Sequence, residues 1–554
     1  MQNFDLLNLG HMKKENTFVI IVGGGPVGLS AAIELGHRNV PAILVTENLE
    51  TAKHPRCNNT NARSMEHFRR LGISEEIRAN APLAKYPPQV AFVTRFCGHE
   101  IGRIDLNKSR STANLPGPEF QSAERSITIS QLFLEPILKR NAELKKSVSI
   151  RFGFRMIGFV SAPEGVLVDV ENIQTGERSQ ISASYMIAAD GARSPARRHF
   201  GIGMTGEDGQ MENAFVAGSM LTYFIRAPSL IAESGRKPAN LTWILNHEIR
   251  AFVFSQDGGE RWIVHYRIPE GVDWKTVDHE KVLDAVFGKP IPFEIISSGP
   301  WAGGLALVAD QYQAERVFFV GDAAHLFTPL GGFGMNTGIG DAINVSWKLA
   351  AIFEGWGGPS LLDTYGAERR PIGIRNSQLG VKCSQRKGAW QLPPNIEDAD
   401  EAGEQARRVF GEFAVVDDLE EYNTSGMQFG ERYENSPIIF HQGAAQIADT
   451  WDNYVPIDHP GARVPDFKIT ETETFHDQLG DSYSLAVFTN DVDAKPFVDA
   501  AANRGVPLQV VKCAPPAHLY KCKLALIRPD RHLAWHGDAM PVNTLEIIDR
   551  LRGA

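Results

Sequence analysis

The sequence predicts a mixed α/β fold: a Rossmann-like domain built on a parallel sheet, an inserted antiparallel sheet, and a C-terminal thioredoxin-like domain. Three observations lead to this prediction. A glycine-rich turn joins a buried strand to a helix near the N-terminus, strands of alternating polarity follow in the middle of the chain, and the C-terminal part has its own strand–helix–strand order. The 554 residues are enough for two or three domains.

The composition argues against several classes of protein, namely those that bind nucleic acid, span a membrane or depend on disulfides. A net charge of −10, from 56 basic and 66 acidic residues, argues against nucleic acid or an anionic membrane as the main partner. No apolar run reaches the roughly 18 residues that a membrane span needs. The 5 cysteines form no CxxC pair and no dense framework, so we expect a cytoplasmic protein with reduced thiols and no metal site. Residues 1–16 are expected to be disordered or tag-derived, because Gly-His-Met at 10–12 resembles a cloning junction.

The first element is a βαβ unit over residues 18–48. Phe18–Val22 is a continuous apolar run, as expected for a parallel strand buried on both faces. Ala31–Arg38 has the composition of a helix, and Ala42–Val45 is the second strand. This unit predicts a dinucleotide-binding domain.

The turn inside this unit has the GxGxxG pattern. Gly23 permits the tight turn, Gly25 lets a diphosphate approach the backbone, and Gly28 allows close packing of helix and strand. Pro26 suits the first turn of the helix, whose free N–H groups and dipole stabilise phosphate. An acidic residue that binds a ribose hydroxyl should follow the second strand. The usual position holds Thr46, so the next residue, Glu47, is assigned to the ribose.

Two later strands end in motifs of their own. Tyr185–Ala189 runs into Asp190-Gly191, just before a helix that Ser194 and Pro195 can start. Arg316–Val320 runs into a turn that contains Asp322. Four glycines between 331 and 338 then precede a helix, and their exposed N–H groups can stabilise negative charge such as that of a reduced isoalloxazine.

These three motifs, in this order, resemble the class A flavoprotein monooxygenases, the para-hydroxybenzoate hydroxylase-like aromatic hydroxylases. The resemblance covers residues 17–375, and the thioredoxin-like tail resembles that of the larger phenol-hydroxylating members. It implies FAD as the cofactor, NADPH or NADH as a transient electron donor, and O2 and a small phenol as substrates. It also implies that a flavin C4a-hydroperoxide transfers the hydroxyl group. The tail could support a homodimer.

The resemblance also sets the domain boundaries. Residues 17–200 and 300–375 are assigned to a discontinuous FAD-binding domain, and 201–299 to the antiparallel substrate domain. Residues 376–460 form a helical connection, and 461–554 form the thioredoxin-like domain without CxxC.

Individual roles in the cofactor site follow from the same resemblance. Asp322 binds the ribityl chain, Pro329 lies near the flavin face where oxygen reacts, and Asp190 lies near the diphosphate and the path of NAD(P)H. Arg56 is placed at the diphosphate and Gln131 at the flavin. The pyrimidine end of the ring is contacted by Gly332, Gly334, Met335 and Asn336. His325 is predicted to be a packed structural residue, Trp347 a core aromatic residue and Lys348 a charge on the helix face.

The substrate site is less specified by the sequence. Relatives that hydroxylate biphenyls carry a histidine and an aspartate where this chain has Asn58 and Thr128. Either the substrate needs little activation, as a nitro- or halo-substituted phenol or catechol would, or another residue is the base, with His54 as the candidate. Alternation alone does not tell which sheet residues face the substrate. The candidates on the sheet are Tyr223, Trp243, Arg250, His265 and Tyr266, and Asn58 is a further candidate outside it.

The sequence leaves three alternatives open. The substrate could be a larger polycyclic phenol, or the protein could be a non-catalytic flavin-binding redox protein. A flavin-dependent halogenase or epoxidase is the third, but a halogenase would carry a Trp-x-Trp-x-x-Ile-like motif, and the sequence contains none.

Overall fold

The computed structural model describes residues 13–108, 122–208, 214–216, 218–269, 271–441 and 447–554. Four residues of the segment expected to be disordered or tag-derived, 13–16, are part of a regular element. Residues 13–16 belong to the first strand, where Lys13 is paired with Ser179, because the parallel sheet extends beyond the apolar run. Residues 1–12 lie outside the described part of the chain.

The strands of the described residues form several separate sheets. In chain order they are β1 (Lys13–Val22), β2 (Ala42–Thr46), β3 (Asn59–Thr60), β4 (Gln89–Val93), β5 (Glu100–Asp105), β6 (Ile127–Thr128), β7 (Val148–Phe152), β8 (Phe154–Ala162), β9 (Gly165–Asn172), β10 (Arg178–Ala188), β11 (Met204–Asp208), β12 (Gly218–Arg226), β13 (Leu241–Leu245), β14 (Arg250–Ser255), β15 (Arg261–Arg267), β16 (Glu294–Gly303), β17 (Leu305–Ala309), β18 (Gln313–Ala314), β19 (Val317–Phe319), β20 (His325–Leu326), β21 (Tyr483–Val487), β22 (Leu508–Lys512), β23 (Leu524–Ile527) and β24 (Leu533–Gly537).

The α-helices of the same residues connect and cover these strands. They are α1 (Pro26–His37), α2 (Ala62–Arg70), α3 (Ser74–Ala79), α4 (Gln131–Glu143), α5 (Pro195–His199), α6 (Leu230–Ser234), α7 (His279–Phe287), α8 (Phe333–Phe353), α9 (Thr364–Gly388), α10 (Glu401–Tyr422), α11 (Ser425–Phe429), α12 (Phe475–Gln478), α13 (Lys495–Asn503) and α14 (Thr544–Leu551). Within the described ranges, none of the helices is long and apolar enough to cross a bilayer.

The first sheet has the strand order β18-β19-β10-β1-β2-β7, and β9 and β8 continue it from β10. Its central neighbours, from β19 to β7, are parallel. Val19, Ile20 and Ile21 of β1 have no exposed surface, which is expected of a parallel strand covered on both faces. The predicted βαβ unit of β1, α1 and β2 is present.

The second sheet has the order β16-β12-β15-β14-β13-β4-β5. It corrects a predicted boundary, because β4 and β5 were assigned to the FAD-binding domain. β4 instead runs parallel to β13, with Phe92 beside Trp243, and β16 extends the sheet to residue 303. A short apolar strand has no sequence mark that identifies its partner, so this pairing could not be predicted.

The C-terminal domain is built on a sheet of order β22-β21-β23-β24. β21 and β22 are parallel and the other pairs are antiparallel. The predicted strand–helix–strand order is found as β21, α13 and β22, and β23, β24 and α14 follow it. The helical connection lies against the second sheet. A Cβ on Gly411 of α10 would lie 1.8 Å from the carbonyl oxygen of Ile101, so this close approach requires glycine.

Candidate active site

The three sequence motifs meet at one edge of the parallel sheet. Gly23, Ala189 and Val320 each follow one of the neighbouring strands β1, β10 and β19. Backbone hydrogen bonds hold the C-terminal ends of these three strands together. The N–H of Ala189 donates to the Val22 carbonyl at 2.8 Å, and the N–H of Val320 donates to the Ala188 carbonyl at 3.0 Å. The carboxyl ends of parallel strands are the usual ligand-binding edge of such a sheet.

The glycine turn has the geometry that a dinucleotide site requires. Gly23 has φ of +117°, and a Cβ there would lie 2.1 Å from the Ala189 carbonyl oxygen. A Cβ on Gly28 would lie 2.0 Å from the Gly23 oxygen, so this glycine allows α1 to pack closely. At Gly25 a Cβ would meet no described protein atom within 4 Å. The open side of Gly25, at the start of α1, can therefore admit a diphosphate.

The ends of β2 and β10 carry the predicted carboxylates. The Thr46 side chain packs on the turn, since a Cβ on Gly24 would lie 2.7 Å from its methyl group, whereas Glu47 is exposed just beyond. Asp190 accepts a hydrogen bond from the N–H of Ala196 at 3.1 Å. Its other oxygen is buried and has no partner among the described residues, and burial raises the pKa of Asp190. Such an oxygen is suited to a hydroxyl or amide of a ligand.

Asp322 stands in a short turn that buried side chains hold in place. Asp341 accepts hydrogen bonds from the N–H of Gly321 at 3.2 Å and from His325 Nε2 at 2.8 Å. His325 is 1% exposed and its ring stacks on Phe327, so the predicted structural role of this histidine is confirmed. The surrounding protein raises the pKa of Asp322 by desolvation, yet its side chain is exposed.

A loop over residues 52–58 lies beside this site and is held by α4. The Gln131 side chain accepts from the N–H of Arg56 at 2.8 Å and donates to Glu135 at 2.5 Å, while Glu135 accepts from the N–H of Ala52 at 2.7 Å. Gln131, which is predicted to contact the flavin, uses both polar atoms of its side chain to bond to the protein. Its action is to position the loop that carries Arg56, whose side chain is exposed.

The turn before α8 contains the residues expected at the flavin ring. Gly331 and Gly332 have φ of +77° and +68°, which open the turn, and Pro329 is exposed in it. The Asn336 side chain is buried, where it accepts from the N–H of Asn61 at 2.9 Å and donates to the Gly332 carbonyl at 2.7 Å. It stabilises the turn instead of projecting from it. Met335 lies against Cys57, with their sulfurs 3.3 Å apart, and a Cβ on Gly334 would come no closer than 3.9 Å to Phe327.

One face of the second sheet is turned towards this turn. Trp243, Phe252, His265 and Thr222 lie opposite one another on β13, β14, β15 and β12, so they share a face. Residues of this face pack in one apolar cluster with Leu330 and Phe333, which belong to the turn before α8.

Two histidines come together on this face. His54 of the 52–58 loop bonds through Nδ1 to Ser297 Oγ at 2.8 Å, and its ring lies edge-on to Phe224. His265 bonds through Nδ1 to Thr222 Oγ1 at 2.9 Å. Desolvation lowers the pKa of His54, with Arg56 adding to the effect, and lowers that of His265 to about 3. Both imidazoles are therefore neutral at neutral pH, and His265, with the pKa of about 3, is a weak proton acceptor that leaves His54 as the candidate base.

The other predicted substrate residues divide between two faces. Tyr223 is fully buried on the opposite face, where its hydroxyl bonds to His279 at 3.0 Å, because residues 222 and 223 alternate. Trp243 lies on the correct face but is buried, and it donates to the Tyr422 hydroxyl at 3.2 Å. Arg250 is exposed at the end of the face. Asn58 uses its backbone oxygen to accept from the N–H of Ile129 at 2.9 Å.

Several residues of the substrate face were not predicted from the sequence. Residues of this set that share a strand are an even number of positions apart. This spacing identifies the substrate face only when the register between the strands is known. The residues of the set are Thr222, Phe224, Ser297, Trp301 and Arg267. Lys348 was also misjudged: it is fully buried and paired with Glu368, since a second domain covers α8.

Comparisons with known proteins agree with this site. The family model "FAD binding domain" matches residues 16–379, and "Aromatic-ring hydroxylase, C-terminal" matches residues 458–553. A 4-methyl-5-nitrocatechol 5-monooxygenase of Burkholderia sp is 29% identical over 93% of this chain and 93% of its own. A Streptomyces halstedii protein named as a polyketide hydroxylase is 34% identical over 64% of this chain and 62% of its own.

The fold is also that of a solved structure. RebC, soaked with chromopyrrolic acid and holding 7-carboxy-K252c, superposes with a TM-score of 0.88 at 32% identity and covers 98% of this chain and 99% of its own. The open diphosphate turn, the unpaired oxygen of Asp190 and the exposed Asp322 all fit an FAD. The chain belongs to the FAD-dependent aromatic-ring hydroxylases, the class A flavoprotein monooxygenases.

Proposed function

We propose that the protein hydroxylates a phenolic ring with O2 and NADPH or NADH as co-substrates. The observation that carries the proposal is the pair of neutral histidines, His54 and His265, on an aromatic face turned towards the flavin residues. When bound, FAD would supply the redox chemistry that uses electrons from NAD(P)H to activate O2 for transfer of one oxygen atom to the ring. Gly23, Gly25, Gly28, Glu47, Arg56, Asp190 and Asp322 would hold the FAD.

His54 is the residue that would take the phenol proton. Its Nδ1 is bonded to Ser297, which orients the ring, and no described residue bonds to Nε2. A phenolate is richer in electrons than a phenol, so its ring accepts an electrophilic oxygen more readily. His265 would support the same step or bind the phenolate oxygen from the middle of the sheet.

The aromatic lining would keep water from the reacting atoms. Phe224 and Phe254 flank the histidines, and Trp301 lies 5.1 Å from the ring of His265. Such a lining holds a flat ring by stacking and protects a reactive oxygen intermediate from hydrolysis.

One substrate class is a small acidic phenol or catechol that carries a nitro or halogen group. This class suits a site in which Asn58 and Thr128 replace the acid–base pair of some relatives. The nitrocatechol monooxygenase among the relatives is named for such a substrate. However, the presence of His54 and His265 weakens the argument that the site lacks a base.

A second class, a polycyclic phenol that carries an anionic group, is favoured by the length of the face. Ser297, beside His54, and Trp301 lie four residues apart on β16, which corresponds to about 13 Å along the strand. At the Trp301 end, Arg250 and Arg267 approach each other, and burial together with Arg267 lowers the pKa of Arg250. Two arginines without an acidic partner among the described residues can bind a carboxylate. RebC is described with a carboxy-substituted ligand, and another relative is named for polyketides.

The test is aerobic NADPH or NADH oxidation with a matched panel of nitrophenols, chlorophenols and polycyclic phenols with and without a carboxylate. We expect one class to accelerate oxidation and to yield a product heavier by one oxygen atom. Hydrogen peroxide formed in full stoichiometry with every phenol would contradict the proposal. No stimulation by any phenol would favour a non-catalytic flavin protein.

A further inference from the structure

The C-terminal domain contains a cluster of metal-ligating side chains away from the flavin site. Asp458 lies in the segment that enters the domain, Cys522 lies two residues before β23, and His536 lies in β24. One ligand atom of each residue lies within 4.8 Å of those of the other two. In a tetrahedral zinc site such atoms are about 3.3–3.8 Å apart, so small side-chain rotations would complete the arrangement.

We propose that Asp458, Cys522 and His536 bind a zinc ion, which holds the entering segment against the β23–β24 hairpin. A thiolate, an imidazole and a carboxylate are the ligand types that zinc takes together in proteins. The three residues are half-buried, so the fourth position can be taken by water or by Asp538, which follows on the same hairpin.

The hydrogen bonds around the cluster leave polar atoms that can coordinate a cation. His536 Nδ1 is buried and has no hydrogen-bond partner among the described residues. Asp458 Oδ2 accepts from the N–H groups of Lys521 at 2.7 Å and Cys522 at 3.0 Å, which fixes the carboxylate beside the thiol. Such outer bonds are typical of orienting contacts around a metal.

A second cluster, formed between α2 and the C-terminal part of the chain, differs from the first in its charge. Glu66, Asp466 and His476 are equally close together. There, Glu66 is paired with the side chains of Arg63 and Arg463, which neutralise it. Asp458 has no arginine or lysine partner among the described residues, so only this first cluster is left with uncompensated negative charge.

The experiment uses the full-length holoenzyme after chelator treatment and dialysis. Cobalt(II) is titrated as a spectroscopic substitute for zinc. We expect one equivalent per chain to bind, with a sulfur-to-cobalt charge-transfer band in difference spectra and weaker bands at wavelengths beyond those of oxidised flavin. Added zinc should abolish these bands and raise Tm.

Three variants and one control locate the ion. Cys522→Ser, His536→Gln and Asp458→Asn should each weaken cobalt binding at least tenfold and remove the effect of zinc on Tm. Cys522→Ser should in addition lose the charge-transfer band. Cys513→Ser removes another half-buried thiol of the same domain and should change none of these readouts. Circular dichroism confirms that each variant is folded. The proposal is overturned if the wild-type protein binds no stoichiometric cobalt, or if Cys522→Ser and Cys513→Ser bind it equally. Hydroxylation is measured separately and is not expected to depend on this site.

Discussion

At the scale of single residues, the electrostatic environment of His54 and His265 decides what they can do. Burial favours the uncharged imidazole, and Arg56 adds a repulsion that acts on His54 in the same direction. A base must be unprotonated at the working pH, and both residues meet this condition. Their polar partners, Ser297 and Thr222, orient the rings without supplying charge.

We expect His54→Gln to slow the hydroxylation of a weakly acidic phenol by about 100-fold or more, the usual contribution of a general base. A nitrophenol, which is already ionised at neutral pH, should react almost as fast as with the wild-type protein. The measurement is kcat/KM across a series of phenols of different acidity. Tyr223→Phe, a change on the opposite face of the sheet, is the control and should leave the series unaltered. An equal loss for all phenols would mean that His54 is not the base.

The pH profile gives a second prediction. The pKa of His54 is lowered from its usual 6.5, so the unprotonated form persists below that pH. With a weakly acidic phenol, kcat/KM should therefore stay level through pH 6.5 and fall only in more acidic buffer, as His54 takes up a proton. A fall centred above pH 6.5 would contradict the assignment of His54 as the base.

The arginines at the end of the face give a prediction about specificity. Arg250→Gln should raise KM for a carboxylated polycyclic phenol by about tenfold or more, because a hydrogen bond to a charged group contributes about 1.5–3 kcal/mol. The uncharged analogue should be unaffected. Arg226→Gln, a surface position on β12 paired with Glu260, is the matched control. Equal KM changes for both substrates would argue against an anion site.

At the scale of elements, the turn between β1 and α1 shows why its glycines are not equivalent. Gly28 is required by the protein itself, since a side chain there would collide with the Gly23 backbone. Gly25 has φ of −78°, which any residue adopts, and a Cβ there would meet open space. Its requirement can therefore come only from a ligand.

These glycines make a paired prediction. Gly25→Ala should fold with an unchanged Tm in the FAD-free form but should bind FAD at least tenfold more weakly, because its methyl group faces the diphosphate. Gly28→Ala should lower Tm even without FAD. The measurements are flavin content after purification and thermal unfolding of the apoprotein. If Gly25→Ala still bound FAD tightly, the diphosphate would not lie against Gly25.

At the scale of the whole molecule, a buried network of charges joins the C-terminal domain to the flavin domain. Glu368 of α9 accepts from Lys348 at 2.8 Å and from both terminal nitrogens of Arg528 at 2.7 Å. All three side chains are fully buried. The arginine and lysine hold the pKa of Glu368 far below its usual value although burial opposes this.

The network predicts how stability depends on acid. Because the pKa of Glu368 is lower in the folded state, its contribution is present above the unfolded value, near pH 4, and is lost as the pH falls. Glu368→Gln should cost about 3–5 kcal/mol at pH 7, since it leaves two buried cations short of a partner, and should flatten the decline in acid. The measurement is denaturant unfolding at several pH values. Glu420→Gln is the control, because it breaks half-exposed ion pairs between α9 and α10. It should lower the free energy of unfolding by less than Glu368→Gln does. An equal loss would contradict the role of the buried network.

The backbone of the cofactor site could be predicted from the sequence more fully than the contacts of its side chains. The roles of Gly23, Gly25 and Gly28 depend on local backbone geometry, which the spacing of the glycines indicates. Gln131 and Asn336 were placed at the flavin because of their positions in the motifs. The structure adds that their side chains bond to backbone N–H groups from elsewhere in the chain, and no local pattern specifies such a partner.

The βαβ unit, the three motifs and the order of elements in the C-terminal domain could all be predicted from the sequence alone, because each depends on residues close together in the chain. Three-dimensional packing was needed to show which face of the second sheet carries His265, where β4 pairs, and that Asp458 meets Cys522 and His536. These features follow from the register between distant strands, and a shift of one residue would turn every side chain to the opposite face.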